Sequence, residues 1–209
     1  MIDAETKNVL TDLVNKFMRI LNVGILTESV FVEIRKEYDS GIFKAEKTFN
    51  MNFTRDENRL GLLQNFTVEN IKDLNQNIAE SLRKEITQGI INLESIPKIK
   101  DRVKKVLEVS ETRATMIART ETVRAQSMGH IDAARQTGLS LRKFVSVHLD
   151  SRTSPICKRM DAKYGTPEKA IPIDSKFVDN VSGEEFDISP FHVNCRTAVL
   201  FSQEKKNEA

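Results

Sequence analysis

The chain carries two cysteines, Cys157 and Cys195, both in its last quarter. Cys195 lies in the stretch FHVNCRTAVLF, residues 191–201, three positions after His192. Thiolate and imidazole are zinc ligands, and they are also the pair that makes a cysteine nucleophile. Cys157, His192 and Cys195 therefore offer three ligands to a structural zinc ion, with Asp150, Asp161 or a water as the fourth. The same residues could serve a cysteine hydrolase or a metal-dependent nuclease, or could be two reduced cysteines packed as small hydrophobes. Nucleophilic catalysis also needs an orienting group and an oxyanion hole, and the sequence identifies neither. A zinc deaminase is disfavoured for want of a His-x-Glu and a Pro-Cys-x-x-Cys element.

The elements that must position these residues can be read around them. In DSRTSPICKRMDAKYG, residues 150–165, Ser154 and Pro155 form an N-cap and N1 pair, which starts a short helix with Cys157 in its first turn. That position lowers a thiol's pKa. Ahead of it LRKFVSVHL alternates Phe144, Val145, Val147 and Leu149 with polar residues, the pattern of a strand ending at Asp150. AIPI (170–173) and TAVLF (197–201) are further short strands. The expected C-terminal unit, 139–203, is small enough for a metal or docking to assist its core.

Four of the five prolines follow residue 150, and the first 140 residues contain only Pro97. The fold class is thus α+β: a mainly helical N-terminal region with long helices, then a small α+β unit with a short sheet. Leu10, Leu13, Val14, Phe17 and Leu21 give an amphipathic helix over 4–22, and a second runs from Ser29 to Tyr38 with Gly41 near its end. Residues 50–61 read as a loop. Thr67 is the expected cap of a helix whose stripe is Ile71, Leu74, Ile78, Leu82, Ile86, Ile90 and Leu93. Pro97 restarts it as PKIKDRVKKVL, with Ile99, Val103 and Val106 on one face. A further helix is expected over 110–138, capped by Ser110 and closed by Gly138. Its stripe of small residues (Ala114, Ala118, Thr122, Ala125, Gly129, Ala133) allows close helix approach, and Glu121 can pair with Arg124. This divides the chain into a helical assembly region, 1–109, and a second region, 110–209.

A net charge of +2 from 32 basic and 30 acidic residues leaves no global field toward nucleic acid. Lys98, Lys100, Arg102, Lys104 and Lys105 form the local patch that could meet phosphate, although a basic helix face is commonly just solvated. No stretch approaches the roughly 18 uninterrupted apolar residues of a membrane span, and the N-terminus lacks signal-peptide character, so the chain is expected to be made and kept in a cytoplasm or to leave it by a route other than secretion.

In their order, MIARTETVRAQSMGHIDAARQTG, FVSVHLDSRTSPICKRMDAKYG and FHVNCRTAV resemble the phage Mu F-like minor head proteins, the phage head morphogenesis family. The matching positions are Ala118, Arg119, Thr120 and Glu121 on the helix, Gly138, then Asp150, Arg152, Thr153 and Cys157, and finally His192, Cys195 and Arg196. The likeness covers residues 110–200. It departs where Ser154 and Thr197 stand at positions that often carry cysteine in the family. The resemblance implies a non-enzymatic minor component of a tailed-virus head, located in the head interior near the portal and in the host cytoplasm during assembly. Its implied work is head morphogenesis, DNA packaging or DNA delivery. The partners would be the portal protein, the major capsid or scaffolding protein and packaged DNA, with self-association through the helical region and no membrane. Arg152 or Arg196 would then bond a carboxylate such as Asp150 to hold the second unit together.

Overall fold

The computed structural model describes residues 23–203 apart from Leu93, so the helix expected over 4–22 lies outside the described residues. Three long helices come first: α1 (Val23–Phe49), α2 (Glu57–Ile91) and α3 (Ile96–Gln136). The rest is β1 (Leu141–Ser146), α4 (Pro155–Tyr164), a 3-10 turn at Pro167–Lys169, β2 (Ile171–Pro172), β3 (Phe177–Val178), β4 (Glu185–Phe186) and β5 (Ala198–Gln203). The α+β class holds, with the helices first and a small antiparallel sheet after them. No described helix is long and apolar enough to cross a membrane.

Two compact units alternate along the chain. One comprises the described residues up to Phe31 with Asn65–Thr115, and the other Val32–Gln64 with the chain from Met116 onward. In the first unit, Leu82 and Ile86 of α2 bury against Ile99 and Val103 of α3, flanked by Ile78, Val106 and Leu107. This is the apolar stripe read from sequence, folded back on itself through the turn before Pro97; Ile90 and Leu93 lie outside the described side chains. Arg102 clips the turn by forking onto both oxygens of Glu94 at 2.7 Å and reaching Glu85 at 2.7 Å.

Three expected helix ends are not ends. Residue Thr67 is buried inside α2, which starts ten residues earlier, after Asp56, whose carboxylate accepts the Arg59 N–H at 3.0 Å. The expected loop therefore shrinks to 51–56. Ser110 is interior to α3, a single helix of 41 residues. Gly41 sits in the middle of α1. A serine or threonine cap is worth about 1 kcal/mol and an interior glycine costs about as much, and packing of a long amphipathic face overrides both.

Gly41 is used in a different way. In the second unit a Cβ on Gly41 would collide with the carbonyl oxygen of Gln126 and lie 2.8 Å from the backbone nitrogen of His130. Reciprocally, a Cβ on Gly129 would strike the Tyr38 carbonyl and lie 2.9 Å from its carbon. The two helices thus touch backbone to backbone, with Ala45, Ala125 and Ala133 buried nearby in sequence. Of the expected small-residue stripe, Gly129 makes this contact and Ala125 and Ala133 are buried, whereas Ala118 is exposed and the Ala114 side chain is not described. Tyr38 hydroxyl donates to the buried Asp132 carboxylate at 2.5 Å, and Arg59 adds an ion pair at 3.2 Å.

The sheet has the order β2-β1-β5, antiparallel throughout, with Val145 opposite Val199. Its inward residues on β1 are Leu141, Lys143 and Val145, so a lysine occupies a core position. Lys143 donates to the Asp187 backbone carbonyl at 2.6 Å and to its carboxylate at 2.8 Å, as a buried charge requires. Against Val145 and Val199 of this sheet pack Cys157, Met160 and Tyr164 of α4 together with Phe177, Phe191 and Cys195.

Candidate metal centre

Two turns bring the sequence-predicted ligands together. After β1, Thr153 closes the first by accepting the Asp150 N–H at 2.7 Å and donating to the His148 carbonyl at 2.9 Å, while Asp150 accepts the Arg152 N–H at 2.9 Å. Ser154 then caps α4, accepting the Cys157 N–H at 3.3 Å, and Pro155 occupies the first turn as expected. Cys157 is consequently fixed, buried, in the first turn.

The second turn carries His192 and Cys195. Its Asn194 takes a left-handed conformation (φ 62°), which asparagine tolerates better than most residues. The Asn194 N–H donates to Thr120 Oγ1 at 2.8 Å, and that hydroxyl donates to the Met116 carbonyl at 2.7 Å. Thr120, in the middle of the Ala-Arg-Thr-Glu phrase, therefore pins the ligand-bearing turn onto α3.

Across the gap, Cys157 Sγ lies 3.7 Å from Cys195 Sγ and 3.1 Å from His192 Nε2. His192 Nδ1 is 2.7 Å from the Val193 carbonyl, which can only accept, so Nδ1 carries the proton and Nε2 presents its lone pair. The positions that depart from the family pattern both reach this cluster. Ser154 Oγ is 2.8 Å from His192 Nε2, and Thr197 Oγ1 donates to Cys157 Sγ at 3.2 Å.

The two sulfurs are within hydrogen-bonding reach of each other. Hydrogen bonding with Cys157, helped by backbone hydrogen bonds from Thr197 and Phe191, draws the Cys195 thiol below its ordinary range against the opposing effect of burial. Its partner moves the other way: the Cys195 sulfur and then burial push the Cys157 thiol up. The lowering expected for Cys157 at the head of α4 is not found there, because the neighbouring sulfur and burial outweigh the helix terminus.

This donor set fits zinc. Two thiolates on a tetrahedral zinc at about 2.3 Å are separated by about 3.8 Å, close to the distance seen here, and the ligand atoms of the three residues all lie within 4.8 Å of one another. The Nδ1–H to carbonyl bond is the outer-shell partner that zinc-binding histidines usually have. The adjoining crevice, lined by Cys157, His192, Ser154 and Thr197, measures about 20 Å³. That is room for an ion or a water and none for a peptide or phosphodiester.

Asp150 stands outside the cluster. Its carboxylate is held by a two-pronged Arg196 guanidinium at 2.7 and 2.9 Å, which, with the Arg152 N–H and Thr153, keeps it well below the usual carboxylate range. Arg152 is exposed, 3.7 Å from the same carboxylate. On α3, Arg119 is exposed, and Glu121 is buried with Arg124 at 3.1 Å. The basic residues of the first unit do not form one patch. Lys98, Arg102 and Lys105 line a cleft of about 730 Å³, with Arg102 already committed to two carboxylates, whereas Lys100 and Lys104 lie roughly 200° around the helix. Sequence reasoning missed the Ser154 and Thr197 hydroxyls as parts of the site; a polar residue at a position expected to hold a ligand was the available signal.

Comparisons with known proteins bear on residues 77–200, which match the family described as phage Mu protein F like protein. The minor head protein GP7 of Bacillus phage SPP1 is 29% identical over 123 residues, covering 56% of this chain and 38% of that protein. The chain thus spans well under half the length of this relative. No solved structure matches.

Proposed function

Since the chain belongs to the phage Mu protein F-like family, we propose that it is a minor head protein of a tailed virus, a structural component that acts in the virion through assembly contacts. Its place in that reading is the head interior beside the portal, reached from the host cytoplasm during assembly. The partners are the portal protein and the major capsid or scaffolding protein, and the role is head morphogenesis with DNA packaging or delivery.

The observation that carries a structural role is the setting of the Cys-His cluster. Cys157 and Cys195 are members of the hydrophobic core of the second unit. A buried thiol beside a crevice of about 20 Å³ suits a fastening and leaves a hydrolase or nuclease without a place for substrate. Cys157, Cys195 and His192 would hold a structural zinc, with Ser154 Oγ or a water completing the set; the ion would supply crosslinking between two turns and no reaction.

Co-expression with the cognate portal protein tests the assembly reading. A complex that survives size-exclusion chromatography is expected. Heads that assemble, package and infect normally without this chain would overturn it. Elemental analysis after purification without chelator tests the metal: about one zinc per chain is expected, and near-zero zinc would remove it.

A further inference from the structure

The two cysteines are both reduced, and their sulfurs face each other at 3.7 Å. A disulfide needs about 2.05 Å, so side-chain rotation has to close the gap by about 1.7 Å. Both backbones are held independently of any ion, Cys157 by the Ser154 cap and the Cys195 turn by Thr120. Removing a metal therefore leaves the sulfurs opposed.

We propose that Cys157 and Cys195 are a modification site: without a bound metal, a hydroperoxide converts them to one intrachain disulfide, so the two turns are fastened by zinc or by an S–S bond but never by both. This rests on the metal reading above and deepens it. In the first step one cysteine sulfur attacks the peroxide, the O–O bond breaks, water leaves and a sulfenic acid forms. In the second step the other sulfur displaces the sulfenic hydroxyl as a second water and the S–S bond closes. Two thiols lose two electrons and two protons, and one hydrogen peroxide becomes two waters. Bound zinc would block the sequence, because Cys157 and Cys195 would both be engaged in holding the ion. Chemically, such a pair suits a particle built in a reducing cytoplasm and released into oxidising surroundings.

The test uses the full chain, one portion loaded with zinc and one stripped with a chelator, each treated with hydrogen peroxide. In the stripped portion both free thiols are expected to vanish together, the intact mass to fall by two hydrogens, and a peptide joining Cys157 to Cys195 to appear and be reversed by dithiothreitol. The zinc-loaded portion should keep both thiols at the same dose. Oxidation of one cysteine to the sulfinic acid, or crosslinks only between chains, would overturn the disulfide while leaving the metal reading intact. Equal closure with and without zinc would overturn the exclusivity and the metal reading together.

Discussion

Gly129→Ala on α3 places a methyl group against the Tyr38 carbonyl of α1. The methyl carbon would lie 2.9 Å from the Tyr38 carbonyl carbon and 3.3 Å from the Ile42 nitrogen, against an optimum of about 3.5 Å or more. The obstacle is backbone, which cannot rotate away as a side chain would, and the carbonyl oxygen is nearer still, so α1 and α3 must part by on the order of 1 Å. Overpacking of this kind costs about 3 kcal/mol, and replacing a helical glycine returns about 1 kcal/mol, for a net loss of about 2 kcal/mol. In a chain of this size that lowers the melting temperature by about 4–8 °C. Gly61 supplies the control, being in α2 with nothing within 4 Å of its Cβ direction; Gly61→Ala should raise the melting temperature by about 2–4 °C. A Gly41→Ala, Gly129→Ala pair should cost less than the sum of the singles, because one separation relieves both collisions. Thermal unfolding followed by circular dichroism reads all four proteins. A Gly129→Ala chain melting as high as Gly61→Ala would refute the close crossing.

His130 packs edge-on against Phe201 at 4.8 Å, and burial, with a smaller push from the Lys44 charge, depresses its pKa to about 4. A folded pKa below the unfolded value near 6.5 means stability is full above pH 6.5, declines as pH falls, and levels off near pH 4, a loss of about 3 kcal/mol. Urea midpoints at pH 7 and pH 4.5 should therefore diverge in the parent and converge in His130→Phe; equal divergence in both would place the effect elsewhere. Asp187→Ala strips the fully buried Lys143 of its partner and should cost about 3–5 kcal/mol, more than Lys143→Met in the same thermal melts. Thr120→Val removes the acceptor for the Asn194 N–H and should weaken zinc retention about tenfold in a chelator competition, with Thr120→Ser restoring most of it.

Much of the site was legible because its signals are local. Ser154-Pro155 announces a helix start whatever surrounds it, and Gly138 closes α3 with φ 66°, as a C′ glycine should. The opposed Cys157 and His192–Cys195 pair came from residue type and from the ordered family pattern. Long-range facts were hidden. Nothing local tells Thr67 or Ser110 that its helix continues, since that depends on partners distant in sequence. Lys143 reads as the polar member of an alternating strand, yet the strand turns it inward because Asp187 waits 44 residues on. Likewise Gly41 looked like a helix stop until the facing backbone of Gln126 gave it a different reason to be glycine.

The two hydroxyls around Cys157 have an electrostatic consequence. A zinc dication bound to two thiolates, one neutral imidazole and a serine oxygen or water carries no net charge, whereas thiolates at positions 154 and 197 as well would leave it at minus one or minus two. Inside an apolar core an uncompensated ion is costly. Arg196, which lines the crevice, is already paired with Asp150. By electroneutrality, then, Ser154 and Thr197 would exchange ligand strength for a zinc centre that needs no counterion.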